Sequence, residues 1–303
     1  MKVSALVPWA GSKRTIAARI DAAIGDHRVF FDPFCGSMAP LLAKRRATIE
    51  TVNDLHGDAT NIARVIQHPR LGPKLYRQLR RTLFCQEFFT EVQAQFRAEG
   101  LRFAKTFDSP DLERAVKFSI YSWFGRNGVI GTNGGNNFCV RYTGNGGSPS
   151  TRWRSFVSSI PAFHRRLQGV IILREDGFNI LERVEDAAGV AIYCDPPYLQ
   201  KSFLYEYDFA PQDHVRLAEV LNRFKKTRVA LSYYDHPDLA HLYPGWQKIH
   251  IDMTKAMVSQ GQRGKSGKAV KAPEVLLVNG NGSGPIESLE IESLEPESTC
   301  LFS

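Results

Sequence analysis

The stretch Val190-Ala-Ile-Tyr-Cys-Asp-Pro-Pro-Tyr198 decides the fold that the sequence predicts. Its first five residues form an apolar run with the length of a buried strand. Two prolines follow Asp195, and because proline cannot donate a backbone N–H to a sheet, the strand must end before them. The chain therefore turns at the carboxyl end of this strand, and in open α/β sheets that edge is where ligands bind.

The rest of the sequence alternates between strand and helix patterns. Short β-rich runs bounded by acids, glycine or proline occupy residues 29–32, 48–53, 170–173, 228–232, 247–251 and 274–278. Helical periodicity marks residues 14–24, 40–45, 59–66, 212–224 and 237–242. Strands of this length that alternate with helices predict an α/β fold, with a mostly parallel twisted sheet and helices on both of its faces.

One long block interrupts this alternation. Residues 69–166 carry basic, helical patterns at 74–96 and 112–124, followed by a Gly- and Asn-rich stretch that is typical of turns. We interpret the block as a mainly helical insertion between the second and third strands, so that residues 1–68 and 167–279 form one discontinuous domain. Residues 280–303 are acidic and contain Gly, Ser and Pro, and we expect them to be disordered or to fold only on a partner.

The balance of charge favours a polyanionic partner. The net charge is +8, and the acidic segment 280–303 contributes five glutamates and no Lys or Arg. The basic remainder suits the phosphates of a nucleic acid, although charge alone does not distinguish this partner from others.

Cysteine spacing and hydropathy exclude several classes of protein. The five cysteines are scattered without a Cys-x-x-Cys pair, so neither a disulfide framework nor a metal site is indicated. The first residues do not have the pattern of a signal peptide, and no apolar run reaches transmembrane length. We therefore expect a cytoplasmic protein without a membrane partner.

The turn that begins at Asp195 has the groups needed to hold and activate an aromatic amine. The N6 amine of adenine is a poor nucleophile because its lone pair is delocalised into the ring. Asp195 and the carbonyl of Pro196 could accept its two N–H bonds and localise that lone pair. The rigid Pro196-Pro197 geometry would aim these acceptors, and Tyr198 would stack on the base. A base must leave a duplex to reach such a turn.

A second site is predicted in Phe30-Phe-Asp-Pro-Phe-Cys-Gly-Ser-Met-Ala39. A strand ends at Asp32, and Gly36 lets the following turn approach a ligand closely, with Phe34 nearby. Asp54 ends the next apolar run, at the spacing where an acid grips ribose hydroxyls. Because only one glycine is present, no pyrophosphate cradle is indicated, which argues against a nicotinamide oxidoreductase. A nucleoside without phosphates, such as S-adenosylmethionine, fits better.

Two further segments carry candidate ligand contacts. Trp9 and Lys13 flank a Gly-containing turn ahead of a helix, where they could seat the amino-acid end of that nucleoside, with Lys13 near a carboxylate. After the 170–173 strand, Asp176 could bond an adenine amino group, with Phe178 beside the ring. On its own, the Trp9–Lys13 segment also fits an ordinary capped helix start, and the Asp176 segment alone does not decide for or against a site.

Taken in order, these motifs resemble the Dam-like family of DNA adenine-N6 methyltransferases. The order is Trp-x-Gly-x-Lys, Asp-Pro-Phe-x-Gly, Asn53-Asp54, an insertion and Asp-Pro-Pro-Tyr, with Asp213-His214 and residues 274–279 as further matches. The resemblance covers residues 7–279. It implies a Rossmann-like methyltransferase fold, S-adenosylmethionine as donor, a catalytic domain in 1–68 and 167–279, and target recognition by 69–166.

The resemblance also implies roles for individual residues. Trp9, Lys13, Asp54 and Asp195 would contact the cofactor, while Asp195, Pro196 and Tyr198 would hold the target base. Together with the residues argued above, the predicted cofactor set is Trp9, Lys13, Asp32, Phe34, Gly36, Asp54, Asp176, Phe178 and Asp195. The predicted catalytic set is Asp195, Pro196, Pro197 and Tyr198. We expect direct transfer to double-stranded DNA without a metal, by a monomer or weak dimer.

The inserted block holds the candidate DNA contacts, which are Arg126, Asn127, Arg141, Arg152 and Arg154. Arginine pairs well with guanine and asparagine with adenine, and other cations hold phosphates. Aromatic residues at positions 121, 123, 138, 142 and 153 alternate with them and can equally form a core.

The chain departs from the family pattern in two places. Ser37 and Met38 stand where the family usually has further glycines, which alters the turn without abolishing binding. Gly131 stands where the family tends to have an arginine after Asn-Gly, so recognition of the family's familiar GATC sequence is not predicted.

Several alternatives stay open. An enzyme of this fold could act on RNA adenine, cytosine N4 or a protein amide, and a relic could bind DNA without catalysis. The leading Asp195 and the basic insertion favour DNA adenine. The target sequence is not fixed by these residues, nor is the setting, which could be a lone enzyme, half of a restriction-modification pair or a phage-borne protective activity.

Overall fold

A single sheet of seven strands organises the computed structural model, which describes residues 4–99, 107–126, 130–132, 135–141, 147–199, 207–254 and 271–279. The strands are β1 (Val29–Asp32), β2 (Ile49–Asn53), β3 (Val170–Leu173), β4 (Val190–Cys194), β5 (Arg228–Tyr234), β6 (Gln247–Thr254) and β7 (Lys271–Val278). Their spatial order is β3-β2-β1-β4-β5-β7-β6. Strands β1 to β5 pair in parallel, and β7 lies antiparallel between β5 and β6. The predicted mostly parallel sheet is confirmed, and the last three strands are longer than predicted.

Helices cover both faces of this sheet, as predicted. They are α1 (Ala17–Ile24), α2 (Ala39–Ala43), α3 (Gly57–Gln67), α4 (Leu71–Arg81), α5 (Gln86–Ala98), α6 (Leu112–Phe124), α7 (Pro149–Leu167), α8 (Gly177–Arg183), α9 (Pro211–Asn222) and α10 (Leu239–Leu242). Successive residues of a strand point to opposite faces, so Tyr193 joins the core beneath α1 whereas Ile192 joins the core beneath α8 and α9. Among the described residues, no helix combines the length and apolar character needed to cross a bilayer.

The sheet reverses its direction of growth between β1 and β4. From β1 the chain builds outward through β2 and β3, then returns to place β4 on the other side of β1. Strand β4 ends at Cys194, so the two prolines after Asp195 lie beyond the sheet, as their missing N–H groups require. Asp32 and Asp195 therefore stand side by side at the carboxyl edge, where a reversal of strand order opens a crevice.

The inserted block is helical and shares its core with the sheet. Helices α4 to α7 lie between β2 and β3. Helices α4, α6 and α7 pack on α3, which contacts β3, and α5 packs on α6. One hydrophobic cluster runs continuously from Phe30 on β1 through Leu75 on α4 to Phe118 on α6. The block is therefore separate in sequence but continuous with the α/β core in its packing.

The sequence analysis does not predict helices α7 and α8, of which α7 is the longer. Helix α7 begins at Pro149, where a proline is tolerated because its missing N–H falls in the first turn, and it runs through Pro161 to Leu167. Its buried residues recur at helical spacing from Trp153 to Leu167. The internal proline and the serines around it obscure that spacing in the sequence.

A buried ion pair joins α3 to α6. Arg114 Nε and Nη2 donate to the two carboxylate oxygens of Asp58 at 2.7 and 2.9 Å, and Nη1 donates to Glu99 at 2.8 Å. The Arg114 side chain is 4% exposed and that of Asp58 is fully buried. The charges are compensated only while both partners are present, since an unpaired buried charge is strongly destabilising.

Removing Asp58 should therefore weaken the fold much more than removing a surface partner. We expect Asp58→Ala to lower the free energy of unfolding by roughly 3–5 kcal/mol, because it leaves the Arg114 guanidinium buried without its bidentate acceptor. The matched control is Asp26→Ala, which breaks an exposed pair with Arg45 and should cost less than about 1 kcal/mol. Urea denaturation of both variants makes the comparison, and equal losses would contradict it.

Candidate functional site

Three of the four predicted aspartates end or follow neighbouring strands and meet in one cavity at the carboxyl edge of the sheet. Asp32 ends β1, Asp54 follows β2, and Asp195 follows β4. The cavity has a volume of about 390 Å³. All nine residues predicted to bind the cofactor line it: Trp9, Lys13, Asp32, Phe34, Gly36, Asp54, Asp176, Phe178 and Asp195. Segments far apart in sequence are thus brought to one pocket, although their roles stay predictions.

Asp32 is the most unusual group in this cavity. Its side chain is 1% exposed, and among the described residues neither of its carboxylate oxygens has a hydrogen bond of normal geometry. Burial raises the pKa of Asp32 well above its usual range, and the negative charges of Asp195 and Asp54 raise it further. A buried carboxylate without compensation is costly, so this position would be stabilised by a cation or by hydrogen-bond donors in the cavity.

Asp54 is held by the backbone on either side of the cavity wall. Its Oδ2 accepts the N–H of Gly36 at 2.7 Å, and its Oδ1 accepts the N–H of His56 at 2.9 Å. Burial raises the pKa of Asp54 to about 6, and these two hydrogen bonds offset part of the effect. Burial also lowers the pKa of the neighbouring His56 to about 3, so that imidazole is neutral.

The turn between Asp32 and α2 depends on backbone conformations that favour glycine. Gly36 has φ +44°, and a Cβ there would lie 3.0 Å from Trp9 Nε1. Met38 has φ +57° and is the only described non-glycine residue with positive φ. This is one of the two positions where the family usually has glycine, and Met38 retains the left-handed conformation that glycine adopts at lower cost. The departure from the family pattern therefore leaves the turn intact.

The half-buried Asp195 joins three buried polar side chains in a network behind its turn. Lys13 Nζ donates to Asp195 Oδ2 at 2.8 Å and to the Gly11 carbonyl at 2.7 Å. The Tyr198 hydroxyl lies 2.9 Å from Glu274 Oε1 and 3.2 Å from Asp195 Oδ1. Glu274 is also within 3.4 Å of the Lys13 ammonium. Burial raises the pKa of Asp195, and the Lys13 ammonium opposes that shift.

The residues of this turn point in different directions. Asp195 and Pro197 line the cavity, whereas Pro196 and Tyr198 are buried and do not line it. The Tyr198 side chain is 6% exposed, and its ring packs against Tyr233 and Tyr234. Lys13, predicted to hold a ligand carboxylate, instead donates to Asp195, so the structure assigns its ammonium a protein partner.

The predicted DNA contacts divide into two groups. Arg126, Arg141 and Arg154 are exposed, and Asn127 lies outside the described residues. Arg152 is half-buried, with its Nη2 3.9 Å from Cys139 Sγ. The described aromatic residues among them belong to the hydrophobic core or pack against it: Tyr121, Trp123, Phe138 and Trp153. Alternation of aromatic and basic residues here reflects a packed core beneath an exposed basic surface.

Several residues of the site were not predicted from the sequence. Glu274 is buried on β7. The sequence analysis includes it only within the family resemblance, although an acid at the head of an apolar strand indicates a buried cation or hydrogen-bond donor beside it. Arg216 lines the cavity and lies over the Phe178 ring at 4.2 Å, and Phe209 stacks on that ring at 5.6 Å. No motif identifies these last two, because their positions depend on how α9 packs.

The cysteines and possible metal ligands can also be placed. Cys35 and Cys194 are buried and free. Within the described ranges, no group of three or more His, Cys, Asp or Glu side chains is arranged to hold a metal ion.

Comparisons with known proteins point in one direction. A family model described as D12 class N6 adenine-specific DNA methyltransferase matches residues 9–258. No curated protein matches the chain at a significant level. Two solved structures of the rRNA methyltransferase aviRa from Streptomyces viridochromogenes cover 88% of this chain and 82% of their own, at 13% identity and TM-scores of 0.34 and 0.37. Similarity of that size supports no functional conclusion.

Proposed function

Since the chain belongs to the D12 class N6 adenine-specific DNA methyltransferase family, we propose that it transfers a methyl group from S-adenosylmethionine to N6 of an adenine that has left the duplex. Family membership makes the chain an adenine-specific DNA methyltransferase. The donor, the extrusion of the base and the direct attack by N6 are inferred from the cavity. The observation that carries them is the buried Asp32 carboxylate beside Asp54 and Asp195, in a cavity with aromatic walls.

The residues of the cavity fit S-adenosylmethionine by charge and by shape. When bound, this cofactor supplies an electrophilic methyl group on a sulfonium, and it also carries an ammonium. Asp32 would compensate one of these positive charges, and Asp54 would accept hydrogen bonds from ribose hydroxyls. Asp176 caps α8 through a hydrogen bond to Phe178 N at 2.9 Å, which leaves its second oxygen for an adenine amino group. Phe178 would lie beside that adenine.

Asp195 is the group that would act on the target amine. Its side chain is 22% exposed and lines the cavity, and the Lys13 ammonium occupies Oδ2. Oδ1 would accept one N–H bond of N6, which concentrates the lone pair on nitrogen for attack. Pro196 does not line the cavity, so its carbonyl would accept the second N–H bond only after the turn shifts. N6 would take the methyl group as its bond to the donor sulfur breaks, and the nitrogen would then have to lose a proton. The raised pKa of Asp195 suits a group that takes it up.

Stacking of the target base on Tyr198 stays a prediction. Because the Tyr198 side chain is 6% exposed and flanked by Tyr233 and Tyr234, this side chain or its neighbours must move before a base reaches a ring face. The exposed Arg126, Arg141 and Arg154 would hold double-stranded DNA while the base enters the pocket.

The first test is to remove the acceptor without changing its shape. Asp195→Asn should lower the rate of methyl transfer by roughly 10²–10³-fold or more, because an amide is a weaker acceptor and cannot take the proton. Transfer of tritiated methyl groups from labelled S-adenosylmethionine measures the rate. A comparison of DNA with RNA as substrate decides which nucleic acid is methylated. The control is Asp238→Asn, an aspartate that is 62% exposed. Near-native transfer by Asp195→Asn would refute the mechanism.

The second test uses proton linkage in the cavity. A cation favours the ionised forms of Asp32 and Asp54, so binding should release protons, and affinity for S-adenosylmethionine should rise with pH through about 6, the pKa of Asp54. Calorimetry between about pH 5 and pH 8 measures this rise. S-adenosylhomocysteine, which lacks the sulfonium charge, should show a shallower rise, as should S-adenosylmethionine with Asp32→Asn. Equal slopes for the two ligands would contradict charge compensation.

A further inference from the structure

Helix α4 presents a straight strip of positive charge to solvent. Its buried face consists of Gly72, Leu75 and Leu79. The opposite face carries five exposed cations, which we name the α4 strip: Arg70, Lys74, Arg77, Arg80 and Arg81. Four of them recur at intervals of three or four residues, so they lie in one row about 16 Å long at 1.5 Å per residue.

Within the part of the chain that the structure describes, no carboxylate forms an ion pair with the α4 strip. Residues 70–86 contain no Asp or Glu. Among the described residues, none of the five side chains has an ion pair or a side-chain hydrogen bond. A row of cations with a regular spacing matches a polymer of phosphates, and its binding releases condensed counterions.

The α4 strip also leads toward the part of the insertion that holds Phe124, Ile130 and Phe138, which we name the recognition segment. Phe84, just beyond α4, packs on Phe124 at 4.4 Å and on Phe138 at 5.3 Å. Farther along the same segment, Ile130 pairs with Trp9, which lines the cavity. The carboxyl end of α4 thus adjoins the part of the insertion that reaches the cavity.

We propose that the α4 strip binds the phosphate backbone of the DNA duplex flanking the target, as a contact surface additional to the predicted recognition arginines. The inference rests on the proposed function for its choice of partner. Because it reads phosphates, the strip strengthens binding to every sequence and adds no base specificity.

Salt dependence tests this surface. The variant Lys74→Gln/Arg77→Gln/Arg81→Gln keeps good helix formers on α4. Fluorescence anisotropy with a random duplex of about 30 base pairs, three helical turns, gives the slope of log affinity against log salt. We expect the slope to fall by about 2 to 3, or about 0.9 for each lost contact, while the affinity for S-adenosylmethionine stays at the wild-type value.

The control changes two cations at the amino end of β5, away from the carboxyl edge that holds the cavity. Lys225→Gln/Lys226→Gln removes two exposed charges just before β5 and should leave the slope unchanged. If the triple variant keeps the wild-type slope, or loses no more than the control, the α4 strip is a solvated face and the inference fails. The proposed function fails separately, if wild-type protein transfers no methyl group to DNA.

A second inference comes independently from the network behind Asp195. The Tyr198 hydroxyl has one proton and two carboxylate neighbours, Glu274 at 2.9 Å and Asp195 at 3.2 Å. Glu274 is the nearer acceptor and also shares the Lys13 ammonium with Asp195. Glu274 therefore competes with Asp195 for the Tyr198 hydroxyl and the Lys13 ammonium, the two donors that would otherwise occupy both Asp195 oxygens.

We infer that Glu274 is a positioning residue that draws the Tyr198 proton away from Asp195 and so keeps Asp195 Oδ1 free to accept from the target amine. Glu274 lies on β7 and does not line the cavity. It acts only through its neighbours, so its loss should lower turnover rather than substrate affinity. This inference also rests on the proposed function.

The isosteric variant Glu274→Gln tests the inference. With a weaker acceptor at 274, the Tyr198 hydroxyl should turn to Asp195 Oδ1. We expect kcat to fall at least about tenfold, the effect of roughly one hydrogen bond. The KM values for DNA and S-adenosylmethionine should change less than about threefold. The loss caused by Glu274→Gln should be much smaller in a Tyr198→Phe background, which has no competing proton.

Each other outcome overturns the inference. An unchanged kcat, a rise in KM alone, or additive losses in the two backgrounds would assign Glu274 a structural role. If Glu274→Gln does not fold, Glu274→Asp keeps the charge near Lys13 but withdraws the acceptor from Tyr198, and should show the same pattern. Wild-type protein that fails to methylate adenine would refute the proposed function instead.

Discussion

Everything about this site follows from three carboxylates collected in one poorly solvated crevice. A parallel sheet places the ends of its strands at one edge, and the reversal of strand order between β1 and β4 opens a gap there. Asp32, Asp54 and Asp195 line that gap, and burial raises the pKa of each carboxyl group. Lys13 compensates only part of this negative charge, and this is why we propose a cationic ligand for the cavity. A sulfonium-bearing nucleoside is such a ligand, whereas a phosphate-bearing dinucleotide would be repelled.

The antiparallel strand β7 links the far side of the sheet to this chemistry. It enters between β5 and β6 and brings Glu274 beside Tyr198 and Lys13. Hydrogen bonds therefore hold the turn after β4 from two sides. Lys13 of the N-terminal segment binds Asp195, and Glu274 of β7 binds Tyr198. A carboxylate that is to accept a hydrogen bond from the target amine needs an unoccupied lone pair. Whether a lone pair is unoccupied depends on which acceptors the neighbouring donors bind.

The sequence predicts the sheet well because its strands are short apolar runs with clear boundaries. All nine residues that the motifs select as cofactor contacts line the cavity, since each lies near the end of a strand or the start of a helix at the same edge. Helix α7 escapes prediction because Pro161 interrupts its pattern. The orientation of Tyr198 and the contacts of Arg216 depend on packing between distant elements, and local sequence carries no information about that packing.

The glycine at 131 shows how packing can replace an expected contact. Gly131 has φ +87°, and a Cβ there would lie 2.6 Å from the Trp9 ring. An arginine would be strained by the backbone and blocked by the indole. Trp9 in turn lies against Gly36 in the turn after β1, so one aromatic side chain joins the recognition segment to the cavity wall. The contact with Trp9 therefore requires glycine at position 131, and the arginine of the family pattern does not fit there.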